Sequence, residues 1–408
     1  MSSLWWPGDH RAGSAMLDQS LLEQLVEVEH AWLGALVRVG AAPGGCLDAD
    51  VRAVLPDLDR DELAVAAEAG GNPVIPLVGR LRELLPEPAA TWVHRGLTSQ
   101  DVLDTATVLC ARDTVRRVRV EVAGQVRALV DLADTHRHTP MLARTLTQPA
   151  VPSTLGAKVA GWLHGVLDAD DALAALRWPV QLGGAGGTLA SLVELAGRPG
   201  ARRLRADLAH ALDLESAAPW HTRRTPMVRA GEAAAAATAA WGRIANDVLV
   251  LGRPEVGELR DGSAGGSSAM PHKANPTLAV LVRRAALAAP GELSSLHLAS
   301  AEQVDERADG GWHLEWHPLA LLLRRTLVAS CHTGDLLRGL VVDTERMAAR
   351  LAEVEHQVRA EQRSLAALGG REPAPTYVGL ADDLVDEALE RARPHLRTDH
   401  PTPHEEHL

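Results

Sequence analysis

An all-α fold, with a central bundle of long helices flanked by two smaller helical regions, is what this 408-residue sequence predicts. Three observations carry that reading. Apolar residues recur at helical spacing through most of the chain, period-two strand patterns are almost absent, and glycine- and proline-rich stretches divide the helical tracts into blocks.

The elements follow in order. Leu21, Leu25, Val28, Trp32 and Leu36 lie three or four residues apart and predict an amphipathic helix near the N-terminus. Pro73 and Pro76 in GNPVIPL mark a connection inside the first region. Val115, Val118, Val122, Val126 and Leu129 set one buried face of a long helix over about 101–137. Further helices are expected over about 149–174, 227–252, 276–289 and 318–340. The second of these tracts, 227–252, is rich in alanine, the strongest helix former. Helices of this size reach roughly 35–50 Å and, carrying small side chains, can pack closely as a bundle. The runs QLGGAGG (181–187) and DGSAGGSSAMPHKANP (261–276) interrupt it. Beyond about residue 345 the helical pieces shorten. The sequence therefore divides into an N-terminal helical domain (1–104), a central bundle (105–345) and a small C-terminal helical region (346–408) ending in a polar tail.

Composition excludes several classes. A hydrophobic fraction of 46% in a chain this long supports a large core, which rules out a disordered or disulfide-stapled chain. A net charge of −12 leaves no basic surplus for a nucleic acid partner. The three cysteines (Cys46, Cys110 and Cys331) are far apart and form no CxxC, which points to a reducing compartment and no zinc ribbon. No signal sequence and no apolar span of about 18 residues is evident, so a soluble cytoplasmic protein with no membrane partner is expected. Phe is absent and Tyr377 is the single tyrosine, so Leu, Val and Ala must fill the core. Among 41 basic residues only Lys158 and Lys273 are lysines. A lysine inside a motif of such a chain suggests that a compact ammonium is wanted there.

The strongest chemical signal is the segment GGSSAMPHKANP (265–276). Its glycines let backbone amides approach an anion, its serines offer a hydroxyl, and Lys273 and Asn275 add a cation and an amide before Pro276 opens a helix. This set can bind a carboxylate and stabilise charge building on it during proton transfer at the adjacent carbon. A solvated linker ahead of a helix has the same composition.

GSSAMPHKANP resembles the signature of the fumarase/aspartase superfamily. WVHRGLTSQDVLDTA (92–106) and ARTLTQPAVPSTLGAKVAGWL (143–163) resemble two further substrate-binding segments of that superfamily, in the same order. GNPVIPLV (71–78), PVQLGGAGGTLA (179–190) and DERADGGWHLEW (305–316) bring the 3-carboxy-cis,cis-muconate cycloisomerase branch nearest. The resemblance covers about residues 15–345 and fades beyond. It implies a three-domain all-α fold, a homotetramer built on the long helices with active sites shared between chains, a small polycarboxylate substrate and no metal or organic cofactor. It also implies interconversion of 3-carboxy-cis,cis-muconate and a carboxymuconolactone, a step of aromatic-compound catabolism in the β-ketoadipate pathway.

By the same resemblance Ser267 exchanges the proton, and Lys273 and Asn275 hold the reacting carboxylate, with Ser268 and Met270 beside them. Thr98, Ser99, Arg144, Thr145 and Gln148 bind the remaining carboxylates, Gln181 and Arg307 join them, and His94 assists at the attacking or leaving oxygen. Each has a plainer alternative. Thr98 and Asp101 fit a capping box, though a helix N-terminus is also an anion site. Arg144 sits ahead of an expected proline-started helix, and Arg307 has acidic neighbours that can pair with it. Gly262–Gly266 suggests a hinge for a closing loop. Adenylosuccinate lyases carry an acid–base histidine where this chain has Leu146, which disfavours their C–N cleavage. Two alternatives share the loop: a C–N lyase releasing fumarate from a succinyl adduct by loss of an amine or nitrite, and a non-catalytic helical homologue. HLEWH (313–317) is not HExxH and is read as an ordinary helix.

Overall fold

The computed structural model describes residues 3–263, 265–266, 268–270 and 272–396. Helix α1 (Asp18–Arg38) buries Leu25, Val28, Trp32 and Leu36 as the periodicity requires. Helix α2 (Arg60–Gly70) starts on the Asp59 carboxylate, which accepts from the N–H groups of Asp61 and Glu62. GNPVIPL is not a connection but the start of α3 (Val74–Leu84). Asn72 Oδ1 accepts the Val74 N–H at 3.1 Å, and prolines in a first helical turn sacrifice no intrahelical bond. A short α4 (Ala89–Trp92) leads to α5 (Ser99–Thr135).

The tract from 149 is helical only from 155. Strands β1 (Pro140–Thr145) and β2 (Gln148–Thr154) form an antiparallel hairpin, and α6 (Leu155–Ala174) follows it. Pro149 and Pro152 account for the difference, because each removes an N–H and pushes the preceding residue toward extended backbone. Helix α7 (Ala190–Ala211) kinks at Gly197, and α8 (Thr225–Leu251) contains the alanine-rich tract. Strand β3 (Leu259–Asp261) precedes the 261–276 segment, and α9 (Thr277–Ala301) runs on past Pro290. Helix α10 (Gly310–Arg338) begins upstream of Pro318, β4 (Leu340–Val342) pairs antiparallel with β3, and α11 (Thr344–Val358), α12 (Ala360–Leu368) and α13 (Ala381–Leu396) complete the described chain.

The chain divides into two compact units: residues 1–116, 175–232 and 291–325 form the first, and residues 117–174, 233–290 and 326–408 the second. These limits do not coincide with the divisions at 104 and 345 read from the sequence. The core of the first unit gathers residues of α1, α3, the start of α5 and α7, with Trp32 and Trp312 inside it. Within the second, α13 packs on α6 and α11 on the β1–β2 hairpin. Trp162 and Trp241 are fully buried there, adding two indoles to the core of Leu, Val and Ala that the absence of Phe predicts. Among the described residues no helix is long and apolar enough to cross a membrane.

Candidate active site

The site candidates fall in both units. In the first, Thr98 stands immediately before α5, and its backbone N–H donates to Asp101 Oδ2 at 3.1 Å. Only this half of the capping box forms: the Asp101 N–H donates to the Thr98 carbonyl at 2.9 Å instead, and Thr98 Oγ1 accepts from Arg307 Nη2 at 2.6 Å. Among the described residues no ion pair between Arg307 and its acidic neighbours is seen, and its Nε is buried without a partner. A guanidinium lacking a carboxylate therefore lies at the start of α5, where first-turn N–H groups have no intrahelical acceptor. Ser99, half-buried, is the first residue of that helix.

Asp101 is 1% exposed and receives four partners: the N–H groups of Thr98, Gly183 and Gly184, and His221 Nε2 at 3.0 Å. It fastens the glycine-rich run to α5, which gives QLGGAGG a structural role. Gln181 lies inside this junction at 0% exposure. Its Oε1 accepts the Trp220 N–H at 2.8 Å and its Nε2 has no partner, so this expected substrate contact is enclosed within the first unit. Beneath it Arg224 binds Asp104 bidentately, at 2.7 and 2.9 Å, and also binds Glu315, while the Trp312 indole donates to Asp104.

His94 is held by two unusual features. Its backbone adopts φ 65°, a left-handed conformation that costs a residue with a Cβ about 1–3 kcal/mol. Its Nδ1 lies 2.6 Å from Glu29 Oε1, on α1, and the Glu29 side chain is 0% exposed. Sequence reasoning missed Glu29, although the signal was present: it occupies the same face of α1 as Leu25, Trp32 and Leu36, where a carboxylate needs a reason.

In the second unit the candidates lie on two surface loops. Leu146 and Thr147 form the two-residue turn between β1 and β2, both with positive φ (48° and 70°), the arrangement of a type I′ hairpin. Thr145, Leu146, Thr147 and Gln148 are all exposed, Leu146 at 95%. Arg144 stands in β1, not ahead of a helix, and its guanidinium is engaged by the fully buried carboxylate of Glu258, at 3.0 and 2.6 Å.

The Ser loop has a built neck. Gly265 and Asn275 exchange two backbone hydrogen bonds, 2.9 and 2.8 Å, and the Asn275 side-chain amide donates to the Gly266 carbonyl. Asp261 spans the base, accepting the N–H of Ser263 on one side and of Leu278, in α9, on the other. Gly262 and Gly265 serve this neck rather than a hinge: a Cβ on the first would run into the Gly339 carbonyl, and on the second into Thr277. Ser268, Met270 and Lys273 are exposed beyond the neck. Ser267, the expected proton carrier, lies outside the described residues. Among the described residues no cluster of His, Cys, Asp and Glu suits a metal, and both ring nitrogens of His313 face carbonyl oxygens.

Comparison with known proteins bears on this arrangement. The sequence profile of the Lyase_1 family, described as a lyase, matches residues 53–291. A nitrosuccinate lyase of Streptomyces davaonensis is 44% identical over 86% of this chain and 78% of its own. A 3-carboxy-cis,cis-muconate cycloisomerase of Acinetobacter baylyi is 35% identical over 81% of this chain and 75% of its own. The crystal structure of a 3-carboxy-cis,cis-muconate lactonizing enzyme from Pseudomonas putida superposes with a TM-score of 0.85 at 29% identity, covering 94% of this chain and 97% of that one. With a mostly helical fold matching this structure, a family profile covering residues 53–291 and relatives at 44% and 35% identity, the chain belongs to the Lyase_1 family of the fumarase/aspartase superfamily.

Proposed function

We propose that the protein eliminates nitrite from nitrosuccinate to give fumarate. The reaction breaks the C–H bond beside one carboxylate. The electron pair of that bond forms the new C=C bond, the C–N bond breaks, and nitrite leaves with its electrons. The difficult point is the doubly charged aci-carboxylate that forms as the proton departs. Preorganised donors aimed at such charge contribute about 3–4 kcal/mol each.

The observation that carries the reading is Arg307, a guanidinium without a carboxylate partner among the described residues, anchored on Thr98 at the start of α5. It binds the substrate carboxylate remote from the reacting carbon, with Thr98 and Ser99 beside it. Ser267 takes the proton, and Lys273 and Asn275 hold the carboxylate on which charge accumulates. Ser268, Met270, Thr145 and Gln148 line the same site, and Arg144 contributes through the hairpin it fixes. Copies of the chain complete one another's sites in a homotetramer, as the superfamily resemblance implies. Val280 and Leu287, one face of α9 and 50% and 70% exposed, support such an assembly.

Leu146 argues about the leaving group. An amine must be protonated as it leaves, whereas nitrite and carboxylate depart as weakly basic anions and need no acid at the hairpin tip. Identity of 44% with a nitrosuccinate lyase then favours nitrite. The second reading, cycloisomerisation of 3-carboxy-cis,cis-muconate, is supported by the TM-score of 0.85.

Incubation of the enzyme with nitrosuccinate, reading fumarate by absorbance and nitrite by colour reaction beside a parallel assay with the muconate, tests both. Equal yields of fumarate and nitrite are expected. Turnover of the muconate alone establishes the second reading and removes the first.

A further inference from the structure

We infer that Glu29 is a positioning residue for catalysis: it grips His94 by Nδ1 and thereby presents Nε2 to the departing group. The inference deepens the proposed elimination and rests on it for the identity of that group. Its structural basis stands within the first unit.

Glu29 lies on the apolar face of α1, next to buried Val28 and one turn from Leu25, Trp32 and Leu33. Its Oε1 meets His94 Nδ1, and its Oε2 is buried with no partner among the described residues. A structural carboxylate in such a place collects several donors, as Asp101 does with four in the same unit. Glu29 instead remains half satisfied, facing a single histidine whose own backbone is strained. The carbonyl of the next residue, Arg95, is pinned by the Trp32 indole at 2.9 Å, also from α1. One helix therefore fixes both the backbone and the ring of this histidine. Burying a carboxylate and straining a backbone oppose stability, and they are retained together where a ring must have one orientation and one tautomer.

A carboxylate only accepts, so the His94 ring donates from Nδ1 and Nε2 becomes the nitrogen left for a ligand. The His94 side chain is 16% exposed, so an edge of the ring remains open. In the elimination no proton need reach nitrite. Once protonated from solvent, Nε2 donates to the nitro oxygens as they gain charge, with Glu29 balancing the positive charge on the ring. The same geometry serves a carboxylate leaving group.

Glu29→Gln is the test, since the amide keeps the shape and removes the dictated tautomer. Its kcat is expected to fall on the order of 10–100-fold, with KM changed less than about twofold. Thermal stability should be equal or higher, because a half-satisfied buried charge has gone. In a His94→Asn background Glu29→Gln should add less than about a twofold loss. A lower melting temperature with kcat intact, or full additivity with His94→Asn, overturns the inference.

Imidazole nitrogen NMR of the histidine-labelled protein, with His94 assigned by its absence in His94→Asn, needs no substrate. A protonated Nδ1 in the wild type that becomes a tautomer mixture in Glu29→Gln supports the grip, and an unprotonated Nδ1 in the wild type refutes it. Failure of nitrosuccinate turnover with the expected spectra would sink the assigned leaving group while leaving the positioning role standing. Should Glu29→Gln not fold, Glu29→Asp, which keeps the charge but withdraws it from the ring, must lower kcat with KM unchanged.

Discussion

Arg144 and Glu258 form a two-pronged ion pair, Nη1 to Oε2 at 3.0 Å and Nη2 to Oε1 at 2.6 Å, with the carboxylate wholly buried. Arg144 belongs to the hairpin whose tip carries Thr145 and Gln148, and Glu258 directly precedes β3, which feeds the neck of the Ser loop. The pair thus ties together two loops of the second unit that carry candidate site residues. Removing either partner strands the other, so Arg144→Ala and Glu258→Ala should each lose about 3–5 kcal/mol of unfolding free energy. The double variant should lose less than the sum. Denaturant unfolding measures this. An Arg144→Ala protein of native stability with only a raised KM would show that the arginine acts as a substrate clamp instead.

Ser267→Ala should reduce kcat by at least about 100-fold, the scale of a lost proton-transfer group, while fumarate still binds as a product inhibitor. Lys273→Arg should not restore a Lys273→Ala defect, because a planar guanidinium cannot occupy the place of a compact ammonium at the loop. Steady-state kinetics with nitrosuccinate, the proposed substrate, decides both. Near-native rates in Ser267→Ala would assign the proton to another group.

Much of the helical architecture was legible because long helices announce themselves by period: the buried Val115–Leu129 face of α5 and the Leu25–Leu36 face of α1 are as written in the sequence. The β1–β2 hairpin was not, because Pro149 and Pro152 interrupt any strand pattern and its turn, Leu146–Thr147, lacks the Asn-Gly that marks type I′. Motif residues could be nominated by resemblance, but their partners could not. Nothing local in the sequence links Glu258 to Arg144 or Glu29 to His94, since such pairs are made by folding across 114 and 65 residues. The structure also reverses an expectation about two arginines. Arg144 is neutralised by an acid far away in sequence, whereas Arg307 escapes the acids beside it.

The buried trio of Arg224, Asp104 and Glu315 carries two carboxylates for one guanidinium. Burial pushes the Glu315 carboxyl above its ordinary value and the Asp104 charge adds to this, outweighing the pull of Arg224. A carboxyl raised in the folded state binds more protons there than in the unfolded chain. This contribution to stability is therefore present at low pH and is lost as pH rises from the ordinary value of 4.5 through the raised one. Glu315→Gln, which retains the contacts to Arg224 without the charge, should be more stable than the wild type at pH 8 and little different near pH 4.5. Denaturant titrations at the two values check the sign. A Glu315→Gln variant that is weaker at pH 8 would mean that the carboxylate is fully ionised and stabilising there.

Leu146 and Thr147 occupy left-handed backbone that Asn-Gly would adopt at little cost, and Leu146 is 95% exposed. Strain of about 1–3 kcal/mol per residue and a naked leucine are both unfavourable for an isolated chain, and they coincide at the tip flanked by Thr145 and Gln148. If this apolar tip excludes water from the leaving group, the turn is kept for activity rather than for folding. Replacing Leu146-Thr147 by Asn-Gly should then raise the melting temperature by a few degrees and lower kcat/KM by about tenfold or more. Leu146→Asn alone separates the two effects, since it relieves backbone strain at one position and removes the apolar side chain. Activity unchanged in both variants would reduce Leu146 to a surface residue and return the choice of leaving group to the carboxylate-binding residues alone.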